Sequence, residues 1–137
     1  QLVKHKFLRW NEISRRYVDD EPDFYAPDVW RGRSADKKQG SAGVIATSIS
    51  PDYINNQARM VYKNLLNNGV APEQARMVLP QSTMTEWYWS GSLDAFAAMC
   101  KLRCASDTQA ETRIVADQIN DAMKPLFPVA WEALMNE

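Results

Sequence analysis

Five side chains in the stretch HKFLRWNEISRRY, His5 to Tyr17, can grip an anion: His5, Lys6, Arg9, Arg15 and Arg16. The same stretch contains one acid, Glu12, and the only histidine of a chain whose formal net charge is −1. Ser14, Arg15 and Arg16 follow Asn11 and Glu12 in a segment rich in turn-forming and hydrogen-bonding residues. A hydroxyl, backbone N–H groups and a guanidinium in that order are the parts of a phosphate cradle. Two more arginines stand among apolar neighbours, Arg76 in EQARMVLP and Arg103 in CKLRCAS. A guanidinium is expensive to bury unless it meets an anion. For Arg76 and Arg103 that anion is either a protein carboxylate (Glu12, Glu86 or Glu111) or a ligand. Lys4, Lys6 and Arg9 read equally well as solvated surface charge.

Other chemical templates are missing. The chain has no G-x-G-x-x-G, no G-x-x-x-x-G-K-[ST] and no G-x-S-x-G, so the usual dinucleotide loop, phosphate loop and nucleophile elbow are not expected. One His and two Cys are too few for a zinc site of ordinary ligand count, and no metal is expected. Without a protein nucleophile, the chemistry points to a cofactor, with the protein supplying binding, orientation and charge.

The elements that must position these residues are mostly helical. Ser50 can cap and Pro51 can open a helix carrying Ile54, Ala58, Val61, Tyr62, Leu65 and Leu66 at a 3.6-residue period, and Gly69 closes it. A short helix starts at Pro72 and stops before Pro80. Ser92 can cap a helix from Leu93 to about Leu102. A capping box at Ser106 and Gln109 announces the next, with a stripe of Ile114, Val115, Ile119, Ala122, Met123 and Leu126. PVAWEALMNE closes the chain as a short helix. Gln1–Lys6 reads as the tail of an element, Phe7–Tyr17 as an extended segment or loop, and STMTEWYW as a strand or extended segment. Residues 31–49 read as a surface loop. The fold class is α+β, helix-rich with a few strands, in one domain over 1–137.

Length and composition fit that reading. The 137 residues suffice for one core, 45% are hydrophobic, and the aromatic residues argue against disorder. Balanced charge argues against a general nucleic-acid binder. No run approaches the roughly 18 apolar residues of a membrane span, and no apolar signal region is visible, so the expected compartment is the cytoplasm. Cys100 and Cys104, on one helical face, are expected to be buried, reduced and structural.

Four blocks together resemble the flavin-dependent thymidylate synthases. The signature of that family is R-H-R-x-x-S-x-N-E-x-S-x-R-Y, and here the stretch is KHKFLRWNEISRRY. Lys4-His5-Lys6 stand for Arg-His-Arg, with seven residues to Ser14, and Asn11, Glu12, Ser14, Arg16 and Tyr17 match. DFYAP resembles Glu-Phe-Tyr-x-Pro, ARMVLP resembles Ala-Arg-x-Val-Leu-Pro, and LRCASDTQAETR resembles a Leu-Arg segment followed by Gln-x-Glu-x-Arg. The resemblance implies a fold of the thymidylate synthase-complementing type and reductive methylation of dUMP to dTMP. It further implies FAD as cofactor, NADPH and methylenetetrahydrofolate as co-substrates, and a homotetramer with shared active sites. By position, Gln1, Glu12, Ser14, Arg15, Arg16, Arg76 and Arg103 would bind dUMP, with Arg103 the catalytic residue facing the uracil ring. Lys4, His5, Lys6, Asn11, Glu12, Ser92 and Asp107 would contact the flavin.

This chain departs from the pattern in places. Lys4 and Lys6 keep the charge of the signature arginines but lose the planar fork. Arg9 stands where the family usually has Ser, Arg15 where it has a small residue, and Asp107 where many members have His. Ser92 and Asp94 differ from an Asn-x-Arg pattern of some members. Family members usually carry several tens of residues before the signature, so the N-terminal part is expected to be lacking. A homologue that binds FAD or nucleotide with impaired catalysis is the alternative. An RNA-binding domain is a further reading, disfavoured by the balanced charge.

Overall fold

The computed structural model describes residues 1–36 and 40–137. It is helix-rich with short strands, in the order β1 (Arg9–Glu12), β2 (Trp30–Arg33), β3 (Ser41–Ile45), α1 (Asp52–Asn67), α2 (Pro72–Ala75), β4 (Trp87–Ser90), α3 (Leu93–Arg103), α4 (Ala110–Leu126) and α5 (Pro128–Asn136). Short 3-10 turns cover Leu2–Lys4 and Arg76–Val78. β1 pairs with β4, and β2 with β3. Two compact units result: Gln1–Trp10 with Arg31–Ile45 and Trp89–Glu137, and Asn11–Trp30 with Ala46–Tyr88.

The first unit is built on α3, α4 and α5, which pack on one another. Small residues let them approach closely: Ala95, Ala97 and Ala116 are buried beside Met99, Cys100, Trp131 and Leu8. Trp131 is 2% exposed, and its indole N–H donates to Asn120 Oδ1 at 2.9 Å, so its one polar atom is satisfied. Trp89 extends the cluster, stacked on Trp10 at 5.2 Å between centroids and edge-on to Phe96 at 5.6 Å. Phe7 takes the left-handed conformation, φ 66°, which turns the chain so that Leu8 enters this core while Phe7 stays exposed.

The expected loop over residues 31–49 is partly a strand pair instead. β2 and β3 lie within it; Lys37, Lys38 and Gln39 fall outside the described residues. Every β3 residue is exposed, so no buried face leaves an alternating pattern in the sequence. Arg31 of β2 hydrogen-bonds Ser41 Oγ of β3 at 3.1 Å, and outside the pair it forms an ion pair with Glu111. The capping box is also corrected, because α4 begins at Ala110 with Gln109 before it. Ser106 lies in the preceding turn, where the Thr108 N–H donates to Ala105 O at 3.1 Å and the Arg113 side chain bonds the Ser106 carbonyl at 3.2 Å. In α4 the buried stripe is narrower than expected, since Ile114 and Leu126 are exposed.

The second unit is organised by α1. The helix begins one residue later than expected, at Asp52 with Pro51 at the N-cap; Ser50 Oγ still accepts the Asp52 N–H at 3.1 Å, and Gly69 at φ 80° ends the helix. The buried face is Asn55, Ala58 and Tyr62, not the full apolar stripe, and Ile54 and Val61 are exposed. Arg59 ties α1 to the acidic-aromatic segment: it reaches Glu21 Oε1 at 3.2 Å and lies 5.2 Å from the Phe24 ring centroid. That segment in turn pairs with residues 82–84: Tyr25 N–H donates to Ser82 O and Met84 N–H to Asp23 O, both at 2.8 Å. The STMTEWYW stretch is thus extended, as expected, and it ends in β4.

Among the described residues, no helix is long and apolar enough to cross a membrane.

Gly40 gives a test of the first unit. It sits at φ 90°, and a Cβ there would lie 2.7 Å from the Asp107 carbonyl oxygen. Gly40→Ala is expected to lower stability by on the order of 1–3 kcal/mol, read as a reduced urea midpoint at unchanged m-value.

Candidate functional site

Within the second unit, a cleft of about 580 Å³ is lined by Glu12, Ser14, Arg15, Arg16 and Arg76 together with Leu79, Pro80, Gln81, Thr83, Met84 and Thr85. Backbone pairing explains why these segments meet. The Ile13 N–H donates to Glu86 O at 3.0 Å, which fixes the end of the signature segment against the stretch following Arg76. Beyond Ile13 the chain turns, with the Tyr17 N–H donating to Ser14 O at 3.0 Å.

The turn shapes an anion cradle. Ser14 Oγ accepts from Arg16 Nε at 3.0 Å and from the Arg16 backbone N–H at 3.4 Å. The serine O–H therefore remains a donor, and the Arg16 guanidinium, 5.1 Å from the Tyr17 ring centroid, uses only its Nε in that bond. Arg76 donates its Nε to the Glu73 carbonyl at 3.3 Å. Neither arginine has a carboxylate partner among the described residues, so the ion pairs to Glu12, Glu86 or Glu111 considered for Arg76 are not formed. Both arginines are exposed, which keeps their mutual repulsion small in water. Arg15 behaves differently, pairing with Asp20 Oδ1 at 3.2 Å. Glu12 Oε1 accepts from Thr85 Oγ1 at 2.8 Å, which orients a carboxylate beside the cationic group.

A second cluster lies in the first unit. Arg103 Nε donates to His5 Nε2 at 2.8 Å. Partial burial first, then the Arg103 charge, hold the His5 pKa below its ordinary value. The imidazole is therefore neutral near pH 7, accepting at Nε2 and carrying its proton on Nδ1. Arg103 thus meets an imidazole and not the acid considered from sequence. Lys4 and Lys6 are exposed on either side of half-buried His5. Gln1 Oε1 accepts the Gln109 N–H at 3.3 Å. Ser92 and Asp107 are exposed; Ser92 precedes α3 and its hydroxyl holds the Asp94 carboxyl below the usual range. Asn11 belongs to the second unit and is exposed.

The cysteines carry no nucleophile. Burial pushes the Cys100 thiol up to about 12 and the Cys104 thiol to about 11, so both are protonated near neutral pH. Cys100 is fully buried and Cys104 half-buried, and both are free.

The sequence reading singled out Glu12, Ser14, Arg15, Arg16 and Arg76, and these share the cleft; it singled out His5 and Arg103 separately, and these touch. It missed Thr85 and Asp20. The polar Gln and Thr residues of LPQSTMTE, directly after Arg76, were a signal for the first; Asp20, one of several acids in a row, gave none.

The family model described as thymidylate synthase complementing protein matches residues 1–129, and the chain belongs to that family. It is 36% identical over 136 residues to a flavin-dependent thymidylate synthase from Thermus thermophilus, covering 97% of this chain and 50% of that protein. It is 35% identical over 142 residues to one from Kosmotoga olearia, covering 99% of this chain and 62% of the relative. The chain thus spans about half to three-fifths of these relatives' length. A crystal structure of a UMP/dUMP methylase, PolB, from Streptomyces cacaoi bound with 5-Br UMP superposes with TM-score 0.85 at 29% identity, covering 98% of this chain and 67% of that one. The same protein bound with 5-Br dUMP gives a TM-score of 0.79 at 30% identity, covering 98% and 64%.

The His5–Arg103 contact predicts a pH dependence. Because the folded-state pKa of His5 is depressed, its contribution to stability is present above the unfolded-state value of about 6.5 and is lost as pH falls below it. Urea unfolding from pH 8 to pH 5 is expected to show a stability loss on acidification that is smaller in His5→Gln.

Proposed function

We propose that this chain is the nucleotide- and flavin-binding part of a flavin-dependent thymidylate synthase, which converts dUMP to dTMP by reductive methylation. The cleft that gathers Ser14, Arg16 and Arg76 around one space carries this reading. Its family membership and its likeness to a methylase bound to 5-bromo nucleotides support it.

A nucleoside monophosphate carries close to two negative charges at neutral pH, by analogy with phosphorylated side chains. Two guanidinium groups without carboxylate partners match that charge, and the Ser14 O–H adds a neutral donor. Glu12, held by Thr85, accepts hydrogen bonds and repels phosphate, so it belongs to a hydroxyl or N–H of the nucleotide. The family resemblance assigns Gln1 to the nucleotide as well. Ser14 binds and does not attack.

The His5 segment suits a flavin dinucleotide. Exposed Lys4 and Lys6 match a diphosphate in charge, and Ser92 of the same unit offers a hydroxyl; the family resemblance assigns Asn11 and Glu12 to the flavin as well. Asp107, an exposed anion, fits a hydrogen-bond donor of the flavin and not its phosphates. When bound, FAD supplies the two electrons that NADPH replaces, while methylenetetrahydrofolate supplies the carbon. Reduction at the pyrimidine pushes charge onto its carbonyl oxygens and N3. Arg103, oriented through Nε by His5, keeps its two Nη groups to stabilise that charge, as an oxyanion hole does. The working enzyme is a cytoplasmic homotetramer whose sites draw on more than one subunit. The exposed apolar side chains Tyr53, Ile54 and Met60 of α1 give it a surface to associate through.

Two variants test the assignment. Arg103→Ala is expected to lower kcat by roughly 10²–10³, the usual loss for one preorganised donor, with helical circular dichroism intact. Arg16→Ala is expected to weaken dUMP binding at least about tenfold and to leave flavin absorbance unchanged. Full activity in Arg103→Ala, or unchanged dUMP affinity in Arg16→Ala, would sink the respective role.

A further inference from the structure

Arg15 belongs to the walls of two adjoining clefts. It lines the cleft described above together with Ser14, Arg16 and Arg76. It also lines a second, of about 510 Å³, together with Asp20, Glu21, Asp23 and Glu86. Asp20 lines only the second. The Arg15 side chain is 18% exposed, and its Nη1 donates both to Asp20 O at 3.0 Å and to Asp20 Oδ1 at 3.2 Å. The head of Arg15 is thus drawn to the acidic side of the wall, and its charge is compensated there. Arg16 and Arg76, in contrast, have no carboxylate partner among the described residues.

We propose that Asp20 is a positioning residue that diverts Arg15 from the phosphate cradle and so sets the affinity of the cleft for its anionic ligand. The inference rests on the nucleotide reading above. With Arg15 held by Asp20, a phosphate meets two free guanidinium groups; with Asp20 removed, it meets three. The Asp20 carboxylate is 65% exposed, so its hold on Arg15 is modest and can be outcompeted. A third charge-assisted contact strengthens binding and makes it more sensitive to salt.

The test measures dissociation constants of dUMP and of inorganic phosphate, at low and high salt, for the unchanged protein, Asp20→Ala, Arg15→Ala and the double variant. Asp20→Ala is expected to tighten both ligands roughly three- to tenfold at low salt, with a steeper salt dependence. The same change in the Arg15→Ala background is expected to do nothing, because the guanidinium it would release is gone. Asp20→Ser provides a second version with the same expected gain, and thermal melts check that each variant is folded. Unchanged or weaker binding in Asp20→Ala overturns the proposal, as does a gain that persists without Arg15. Tighter phosphate binding in Asp20→Ala, with no dUMP binding by any variant, would uphold the diversion of Arg15 and overturn the nucleotide reading.

Discussion

The cleft depends on two guanidinium groups, those of Arg16 and Arg76, that have no carboxylate partner among the described residues. Arg16 and Arg76 come from segments sixty residues apart in the chain, and the protein forgoes whatever an ion pair would have contributed to its folding. That loss is small, because an exposed ion pair is worth only about 0–1 kcal/mol. In the nucleotide reading proposed above the gain falls to the ligand, since the two side chains are already oriented by Ser14 and by the Glu73 carbonyl. The chain has ample acid to quench these charges, 17 Asp and Glu against 16 Lys and Arg. Its acids go elsewhere, to Arg15, Arg31 and Arg59.

Hydrogen bonds of the backbone then carry the burden of geometry. The extended run after Arg76 is bonded to the acidic-aromatic segment and to Ile13. Glu12, Ser14 and Thr85 are set by main-chain contacts, which do not depend on which side chains flank them. The core of the first unit works differently: small alanines and a satisfied Trp131 bring three helices together, and His5 and Arg103 hold each other at its edge.

Much of the candidate site was legible because its residues recur at a spacing a reader can test. Ser14 and Arg16 sit in one turn, so their contact is a local consequence of sequence. The helices were equally legible where capping and termination are local, at Ser50, Gly69 and Ser92. Ser106 was misread because a short side chain three residues before a Gln has the form of a capping box. A buried Thr108 and the Arg113 side chain claim the turn instead. β3 left no pattern, since a strand exposed along its length has no face to mark, and in β2 the partly buried residues Arg31 and Gly32 are adjacent and do not alternate.

Residue types and their order along the chain determined the cationic character of the cleft and the helical content. Tertiary structure alone decided which charges are spent. Arg15, Arg16 and Arg76 are indistinguishable as letters, yet one pairs with Asp20 while the other two meet no carboxylate among the described residues. Charge is a property of the residue, but compensation of charge is a property of distance, and distance between remote segments exists only once the chain has folded.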